Sequence, residues 1–250
     1  MPEPKGRSAV VTGGTKGIGR AIAEALVGRG IDVVISARTA ADVERVAAEL
    51  NEGRFVSGAA PADGRGRARG FVCDVRDPGD CRRLIEEAVA AHGGLDILVN
   101  NAGIGIFAPV EELSIEDWQR VIDTNLSGLF YCTHFALPHL KRRGESWIIN
   151  IGSLAGKNAF PRGAAYNASK FGVVGFTEAL MQEVRHDGIR VSSIMPGSVA
   201  TEFSHPTPGT ADGWKVQPED IAALVLELLD TPARTLPSRI EVRPSRPPRK

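Results

Sequence analysis

A tyrosine and a lysine stand four positions apart in AAYNASKFGV (164–173), a stretch otherwise built mostly from small residues. On a helix, Tyr166 and Lys170 would share one face, where the ammonium group could stabilise a phenolate. A free tyrosine has a pKa of about 10, and roughly 4 kcal/mol of preferential phenolate stabilisation would bring it to about 7. Such a phenol could exchange a proton with a carbonyl or alcohol oxygen at neutral pH.

Ser153, in NIGS (150–153), ends a strand-like segment thirteen residues before Tyr166. Its hydroxyl could hydrogen-bond a substrate oxygen there. Taken singly, these residues have commoner explanations, because Tyr-x-x-x-Lys arises by chance and a strand-end serine is usually a cap. Taken together, they suit reduction of a carbonyl, which needs a hydride donor at carbon and an acid at oxygen.

A glycine-rich turn, TGGTKGIG (12–19), leads from the first strand-like segment into an amphipathic helix pattern. Gly13, Gly17 and Gly19 follow a G-x-x-x-G-x-G spacing. Glycines permit a tight turn, let backbone N–H groups approach a pyrophosphate and allow the helix to lie close to the strand. The strand-turn-helix context favours dinucleotide binding over a plain turn.

The end of the second strand-like segment indicates which dinucleotide. An NAD site has an acid about twenty residues past the glycines, where it binds the ribose hydroxyls. Here the sequence reads Ser36-Ala37-Arg38, and no acid follows until Asp42. The planar guanidinium of Arg38 suits a 2′-phosphate, and Lys16 could add a second positive charge. We therefore predict NADP(H) rather than NAD(H), against the alternative that Arg38 merely ends a strand in solvent.

Apolar, β-branched runs alternate with longer helical patterns along the whole chain. The predicted strands cover residues 8–13, 32–37, 70–75, 95–101, 146–153, 190–197 and 239–243. The predicted helices cover residues 17–29, 40–51, 78–92, 115–143, 163–187 and 218–230. This alternation predicts βαβ units around a buried parallel sheet in a single α/β domain, 1–250. The glycine- and arginine-rich stretch 51–70 is predicted to be a mobile insertion, and 244–250 a flexible tail.

Composition excludes several classes of function. Thirty basic and thirty acidic residues balance, which argues against a nucleic-acid footprint. The chain has no apolar run near the length of a membrane span and no leader, so we expect no membrane contact and a cytoplasmic location. Cys73, Cys81 and Cys132 lack metal-site spacing and are expected to be reduced core thiols. His134 and His139 do not share a helical face, so no metal site is predicted.

Six motifs in chain order resemble those of the short-chain dehydrogenase/reductase family. They are TGGTKGIG (12–19), NNAG (100–103), Asn125 in DTNLSG, Ser153 in NIGS, YNASK (166–170) and PG (196–197). The resemblance covers about residues 7–201 and looks closest to bacterial 3-oxoacyl-carrier-protein reductase-like members. It implies a Rossmann-type, doubly wound parallel sheet of about seven strands, ordered 3-2-1-4-5-6-7, with helices on both faces.

The resemblance also implies roles for single residues. Lys170 would bind the nicotinamide ribose, Asn125 would hold a proton-relaying water, Asp74 would contact the adenine and Thr201 the carboxamide. Residues 198–216 would form a mobile lid. From residues and resemblance together, the predicted cofactor-binding set is Gly13, Thr15, Lys16, Gly17, Ile18, Gly19, Arg38, Asp74, Val75, Asn101, Ala102, Gly103, Tyr166, Lys170, Pro196, Gly197, Val199 and Thr201.

We therefore predict an NADPH-dependent oxidoreductase that reduces a ketone to a secondary alcohol, with Tyr166 as general acid. The catalytic set is Asn125, Ser153, Tyr166 and Lys170. Two alternatives stay open: an alcohol dehydrogenase working in the oxidative direction, and a catalytically idle NADP-binding regulatory or scaffold protein. The substrate would be a partly hydrophobic small-molecule ketone. Its predicted wall comprises Ile104, Ile106, Phe107, Leu154, Phe160, Phe203 and Trp214. The resemblance further implies a homodimer or homotetramer formed through helices 115–143 and 163–187.

Overall fold

The computed structural model describes residues 6–55, 66–203 and 212–248, and these contain a seven-stranded parallel sheet. The strands are β1 (Ser8–Thr12), β2 (Asp32–Ala37), β3 (Ala68–Val72), β4 (Ile97–Asn100), β5 (Ser146–Ile151), β6 (Ile189–Pro196) and β7 (Arg239–Val242). Their spatial order is β3-β2-β1-β4-β5-β6-β7. The predicted strand order is thereby confirmed.

Helices cover both faces of this sheet. The α-helices are α1 (Gly17–Gly28), α2 (Ala40–Asn51), α3 (Pro78–His92), α4 (Ile115–Ile122), α5 (Gly128–Lys141), α6 (Ala164–Val184) and α7 (Pro218–Asp230). Every residue of β1, β5 and β6 is buried, as expected for parallel strands covered on two sides. One core lies under α1, α2 and α7 and a second under α3, α5 and α6. No helix within the described ranges is long and apolar enough to cross a membrane.

The chain reverses its winding direction between β1 and β4, which are neighbours in the sheet. Parallel strands place their carboxyl ends at one edge, and ligands of such sheets bind in the crevice at this switch point. The glycine turn follows β1 and the NNAG segment follows β4. The topology therefore places these two segments side by side.

Three sequence predictions are corrected at element boundaries. The predicted helix 115–143 is interrupted by a π-helical turn, Asp123–Ser127, between α4 and α5. The predicted 163–187 helix ends in a 3₁₀ turn, Arg185–Asp187, closed by Gly188 at φ +76°. The third strand begins at Ala68, not residue 70, so the end of the predicted insertion 51–70 is β-structure. Residues 56–65, and 249–250 of the predicted tail, lie outside the described part.

The three cysteines are buried free thiols in the second core, as the sequence predicts. Hydrogen bonding to the Cys81 thiol, followed by burial, raises the pKa of Cys73, and a bond to Cys132 contributes most to raising that of Cys81. These groups are therefore thiols at neutral pH, which makes them poor nucleophiles. Within the described residues, no three His, Cys, Asp or Glu side chains are grouped to hold a metal ion.

Candidate active site

The glycine turn after β1 has the shape of an anion cradle. Gly13 and Gly17 adopt positive φ angles of 64° and 53°, which side chains disfavour. A Cβ on Gly19 would lie 2.3 Å from the Gly13 carbonyl oxygen. Among the described residues, no side chain caps the start of α1 and no acid stands in its first turn. The first backbone N–H groups of α1 are thus free of side-chain caps, and a dinucleotide pyrophosphate fits them.

Thr12 holds this turn against the NNAG segment. Its hydroxyl accepts hydrogen bonds from the backbone N–H groups of Asn101 and Ala102, each at 3.0 Å. The Asn101 side-chain amide donates in return to the carbonyl oxygens of Thr12 (2.9 Å) and Gly13 (3.1 Å). The sequence interpretation missed Thr12, although a hydroxyl residue immediately before the glycines was a visible signal.

Replacing Gly19 by alanine tests the cradle. The added methyl would overlap the Gly13 carbonyl oxygen and the Asn101 amide. We expect Gly19→Ala to weaken binding of a nicotinamide dinucleotide at least about tenfold and to lower the free energy of unfolding by about 1–3 kcal/mol. Fluorescence titration and urea denaturation measure these two quantities.

Gly175→Ala is the matched control for that substitution. Gly175 lies on α6, and a Cβ there would meet no heavy atom of the described residues within 4 Å, apart from the neighbouring backbone of its own helix. Alanine there should raise stability by about 0.5–1 kcal/mol, because it is the better helix former. If the Gly19→Ala protein bound the cofactor as tightly as the unsubstituted protein, the glycine turn would not be the pyrophosphate site.

Two guanidinium groups lie near Asp74, beyond the ends of β2 and β3. Arg76 Nε donates to both oxygens of Asp74 at 3.0 Å. This hydrogen bond, with a smaller contribution from the charge of Arg38, holds the pKa of Asp74 below its usual value. Arg38 is exposed, which both the predicted phosphate contact and the alternative of a strand end in solvent allow. Arg76 was missed at the sequence level, because a solvent-facing arginine after a strand carries no distinctive pattern.

Lys16 has a partner that the sequence did not indicate. Its side chain is 72% exposed, and its Nζ lies 3.7 Å from Glu202 Oε2. Glu202 belongs to the predicted lid, so this ion pair joins the lid to the glycine turn. Thr201 lies beside the same turn, its Cγ2 being 3.2 Å from where a Cβ on Gly17 would stand. The start of the lid therefore lies over the cradle.

Ser153 and Tyr166 are brought together by the fold. Ser153 follows β5 and caps the 3₁₀ turn Leu154–Gly156, accepting from the Ala155 N–H at 3.1 Å. Tyr166 stands in the first turn of α6, and its hydroxyl is close enough to the Ser153 side chain for that side chain to lower its pKa. Two hydroxyl groups therefore converge where a carbonyl oxygen could receive hydrogen bonds from both.

Lys170 lies one helical turn after Tyr166 and is 6% exposed. Its Nζ donates to the Ile151 carbonyl oxygen at 3.0 Å and lies 5.8 Å from the centre of the Tyr166 ring. Burial lowers the pKa of Lys170 to about 8. The shared helical face is as predicted, but the amine lies near the phenol ring and binds a backbone carbonyl.

Burial raises the pKa of the Tyr166 phenol, and the Ser153 side chain opposes this change without reversing it. The sequence interpretation assigned a lowering to Lys170 together with the positive charge of an oxidised nicotinamide, and burial acts in the other direction. The physical reason is that the same burial that brings Lys170 close also disfavours the charged forms of both groups. The phenol is therefore protonated at neutral pH.

Asn125 is buried in the π-helical turn, which directs its side chain toward the NNAG segment. Its Nδ2 donates to the Ile104 carbonyl oxygen (2.9 Å) and to Ser169 Oγ (3.0 Å), while its Oδ1 accepts from the Ile104 N–H (2.8 Å). A Cβ on Gly103 would lie 3.3 Å from Asn125 Oδ1 and 3.8 Å from Lys170 Nζ. Asn125 thus joins the catalytic helix to the segment after β4.

The other predicted cofactor residues lie around the same edge. Gly197 follows Pro196 at the end of β6 and donates its N–H to the Val242 carbonyl oxygen of β7 at 2.8 Å. Val199 pairs with Val216 in an isolated bridge, which closes the base of the lid. Thr15 and Ile18 are half-buried in the glycine turn and Val75 is buried. Lid residues 204–211 lie outside the described part.

Comparisons with known proteins agree with this geometry. D-threitol dehydrogenase from Mycolicibacterium smegmatis is 38% identical over 200 residues, covering 80% of this chain and 73% of the relative. A Thermococcus sibiricus alcohol dehydrogenase in complex with 5-hydroxy-NADP superposes with a TM-score of 0.86 at 27% identity, covering 98% and 99% of the two chains. A Brucella melitensis 3-ketoacyl-(acyl-carrier-protein) reductase in complex with NADH superposes with a TM-score of 0.84 at 28% identity, covering 96% of this chain and 98% of the other.

The family comparison is more general than these single relatives. The profile described as short chain dehydrogenase matches residues 7–211, which span the glycine turn, the predicted catalytic residues and the start of the predicted lid. Together with the strand order and the Ser153–Tyr166 pair, this match shows that the chain belongs to the short-chain dehydrogenase family of oxidoreductases.

Proposed function

We propose that the chain is an NADPH-dependent oxidoreductase that reduces a ketone to a secondary alcohol, with Tyr166 as the general acid. The observation that carries this proposal is that Tyr166 lies beside the Ser153 side chain and within 5.8 Å, measured from its ring centre, of the buried amine of Lys170. This arrangement lies at the carboxyl edge of the sheet that also holds the glycine cradle, where ligands of such sheets bind.

Each step assigned to the protein follows from a group in this arrangement. The glycine turn and the start of α1 bind the pyrophosphate, and the reduced nicotinamide supplies the hydride when it is bound. Ser153 hydrogen-bonds the carbonyl oxygen, and Tyr166 donates its proton to that oxygen as negative charge develops. Lys170 stabilises the phenolate that remains.

We propose the reductive direction. In reduction the protonated phenol of Tyr166 serves as the proton donor, whereas oxidation of an alcohol requires the phenolate as base. D-threitol dehydrogenase and the archaeal alcohol dehydrogenase are named for oxidation, and the Brucella protein for reduction. Assays of ketones with NADPH and of alcohols with NADP⁺ at the same pH decide between the two directions.

Arg38 and Arg76 support the choice of NADPH. Both guanidinium groups lie at the end of the crevice where the resemblance implies adenosine binding, and Asp74 is already paired with Arg76. The structural neighbours bind both kinds of dinucleotide, one with an NADP derivative and one with NADH. The choice therefore depends on the residues of this chain, and an arginine is the better partner for a 2′-phosphate.

Arg38→Ala should weaken NADPH binding about 10- to 100-fold, because a charge-assisted hydrogen bond contributes about 1.5–3 kcal/mol. Binding of NADH should change less than about threefold, since NADH carries no 2′-phosphate to lose a contact. Fluorescence titration of both cofactors measures the difference. Arg45→Ala is the control, because Arg45 is an exposed arginine of α2 paired with Asp42 and Glu49. Equal losses for both cofactors would exclude the assignment to Arg38.

A substrate panel followed by NADPH absorbance tests the function itself. Turnover of a ketone that depends on Tyr166 supports the proposal. The alternative of an idle NADP-binding scaffold predicts tight NADPH binding with no turnover of any ketone or alcohol. The presence of Asn125, Ser153, Tyr166 and Lys170 together argues against that alternative, because a scaffold has no need of them.

We further propose a homodimer formed through α4, α5 and α6, in a reducing compartment such as the cytoplasm. Large apolar side chains on these helices are exposed, which is typical of an interaction surface. They are Ile115, Trp118, Phe130 and Phe171. The buried free thiols are consistent with a reducing compartment.

A further inference from the structure

Three phenylalanines surround the ring of Tyr166. The Phe107 ring lies 5.5 Å from it in an edge-to-face arrangement, and the Phe203 ring lies 5.7 Å from it. Phe160 lies 5.9 Å from Phe107. The three side chains are 40%, 42% and 43% exposed for Phe107, Phe203 and Phe160, so each keeps an open face. We refer to Phe107, Phe160 and Phe203 as the aromatic cluster.

Glycines make room for the rings of this cluster. A Cβ on Gly105 would lie 2.7 Å from Phe107 Cζ and 2.8 Å from Phe203 Cε1. A Cβ on Gly163 would lie 2.5 Å from Phe160 Cε2. Contacts this short do not occur between real atoms. A side chain at Gly105 or Gly163 would therefore displace the rings from their present positions. The cluster is therefore built into the backbone of two loops.

A strained residue joins those two loops. Arg162 has φ +67°, and among the described residues it is the one non-glycine with a positive φ. Its carbonyl oxygen accepts a hydrogen bond from the Ala108 N–H at 2.9 Å. Since left-handed backbone costs energy for a side chain, this bond helps to hold it. The positions of Phe107 and Phe160, which flank the bonded residues, are thereby coupled.

The cluster limits what can stand next to the reacting carbon. A ketone whose oxygen reaches the Tyr166 hydroxyl places one of its substituents against rings that contact Tyr166 directly. These rings offer no conventional hydrogen-bonding group, so hydroxyl substituents there would lose their water without replacement. A flat ring, in contrast, can join the edge-to-face contacts and gain energy beyond the burial of its area.

We infer that the substrate is an aryl ketone, whose aromatic ring is attached to the carbonyl carbon and is bound by the aromatic cluster. This inference rests on the proposed function, since it names the substrate class of the same site. It sets the chain apart from enzymes that act on small polyhydroxy compounds. The aromatic ring of the substrate faces Phe107 and Phe203, while Phe160 covers the outer edge of that ring.

Paired substrates test this inference. We expect NADPH-dependent kcat/KM to be at least about 100-fold higher for 1-phenylpropan-1-one than for dihydroxyacetone, a small polar ketone. Phe107→Leu, Phe160→Leu and Phe203→Leu keep apolar bulk and remove the ring. Each should lower kcat/KM for the aryl ketone about fivefold more than it lowers that for dihydroxyacetone. Phe55→Leu is the control, because Phe55 packs beside α1, with its Cε2 3.5 Å from where a Cβ on Gly28 would stand, and belongs neither to the aromatic cluster nor to the proposed dimer surface.

The outcomes separate this inference from the proposed function. Tyr166-dependent reduction of dihydroxyacetone as fast as that of the aryl ketone would overturn the inference and leave the function standing. If neither ketone is turned over, the result counts against the proposed function. A binding measurement then tests whether the aromatic cluster binds an aryl ring. Calorimetric titration of 1-phenylpropan-1-one into NADPH-loaded Tyr166→Phe protein should show binding that Phe107→Leu weakens. Absence of binding would overturn the inference.

Discussion

Tyr166→Phe is expected to lower kcat for ketone reduction about 10³-fold, within the range of about 10²–10⁴ that general acid catalysis contributes. The substitution removes the proton donor and its interaction with the Ser153 side chain. It keeps the ring that contacts Phe107 and Phe203. NADPH affinity should therefore stay within about threefold, and stability should fall by only about 1 kcal/mol. Steady-state kinetics, fluorescence titration and urea denaturation measure the three quantities.

Tyr131→Phe is the matched control, because the chain has two tyrosines and Tyr131 packs on α5 against the second core. Removal of the Tyr131 hydroxyl should leave kcat unchanged. Retention of more than about a tenth of the activity by Tyr166→Phe would show that another group protonates the product oxygen, since that loss lies below the range for a general acid. An equal loss of activity in Tyr131→Phe would indicate a structural rather than a chemical effect.

Lys170→Met is expected to lower kcat about 10²- to 10³-fold and, at the same time, to stabilise the protein at neutral pH. The folded-state pKa of Lys170 is about 8, against 10.5 in its ordinary state. Between these values the unfolded chain binds more protons than the folded chain, so the stability of the unsubstituted protein rises with pH across this window. Below about pH 8 the full cost of burying the ammonium is present, on the order of 2–3 kcal/mol.

Methionine removes that cost but leaves the Ile151 carbonyl oxygen without its donor, a loss of about 1 kcal/mol. The net gain at pH 7 should be about 1–2 kcal/mol, should shrink as the pH rises from about 8 towards 10.5, and should reverse there, because only the lost hydrogen bond then remains. Urea denaturation at several pH values measures it. Lys141→Met is the control, since Lys141 is exposed and paired with Asp187, and it should change stability by less than about 0.5 kcal/mol. A Lys170→Met protein less stable at pH 7 and indifferent to pH would refute the argument.

The sheet was predictable because its signal is local. Runs such as Val10-Val11 and Ile148-Ile149 are β-branched and apolar on both faces, and only a strand covered on two sides tolerates this pattern. The interruption at Asn125 was not predicted. A π-helical turn arises from contacts with Ile104 and Ser169, which belong to other segments, and no pattern inside 115–143 records them.

The pKa shifts of Tyr166 and Lys170 show a second limit of prediction from sequence. Spacing alone predicted the shared face of Tyr166 and Lys170, but it carried no information on burial. In the structure, burial raises the pKa of the phenol and lowers that of the lysine. Burial depends on what packs around the helix, and this information is spread over the whole chain.

The family, the order of βα units and the candidate residues for proton transfer and dinucleotide binding were predictable from residue types at short or ordered spacings. Such spacings can be recognised without knowledge of distant contacts. The spacings did not reveal that Thr12 holds the glycine turn, that Lys16 pairs with Glu202 or that three phenylalanines from separate loops surround Tyr166. These features depend on segments that meet only when the sheet forms, since close packing and desolvation are properties of the folded chain.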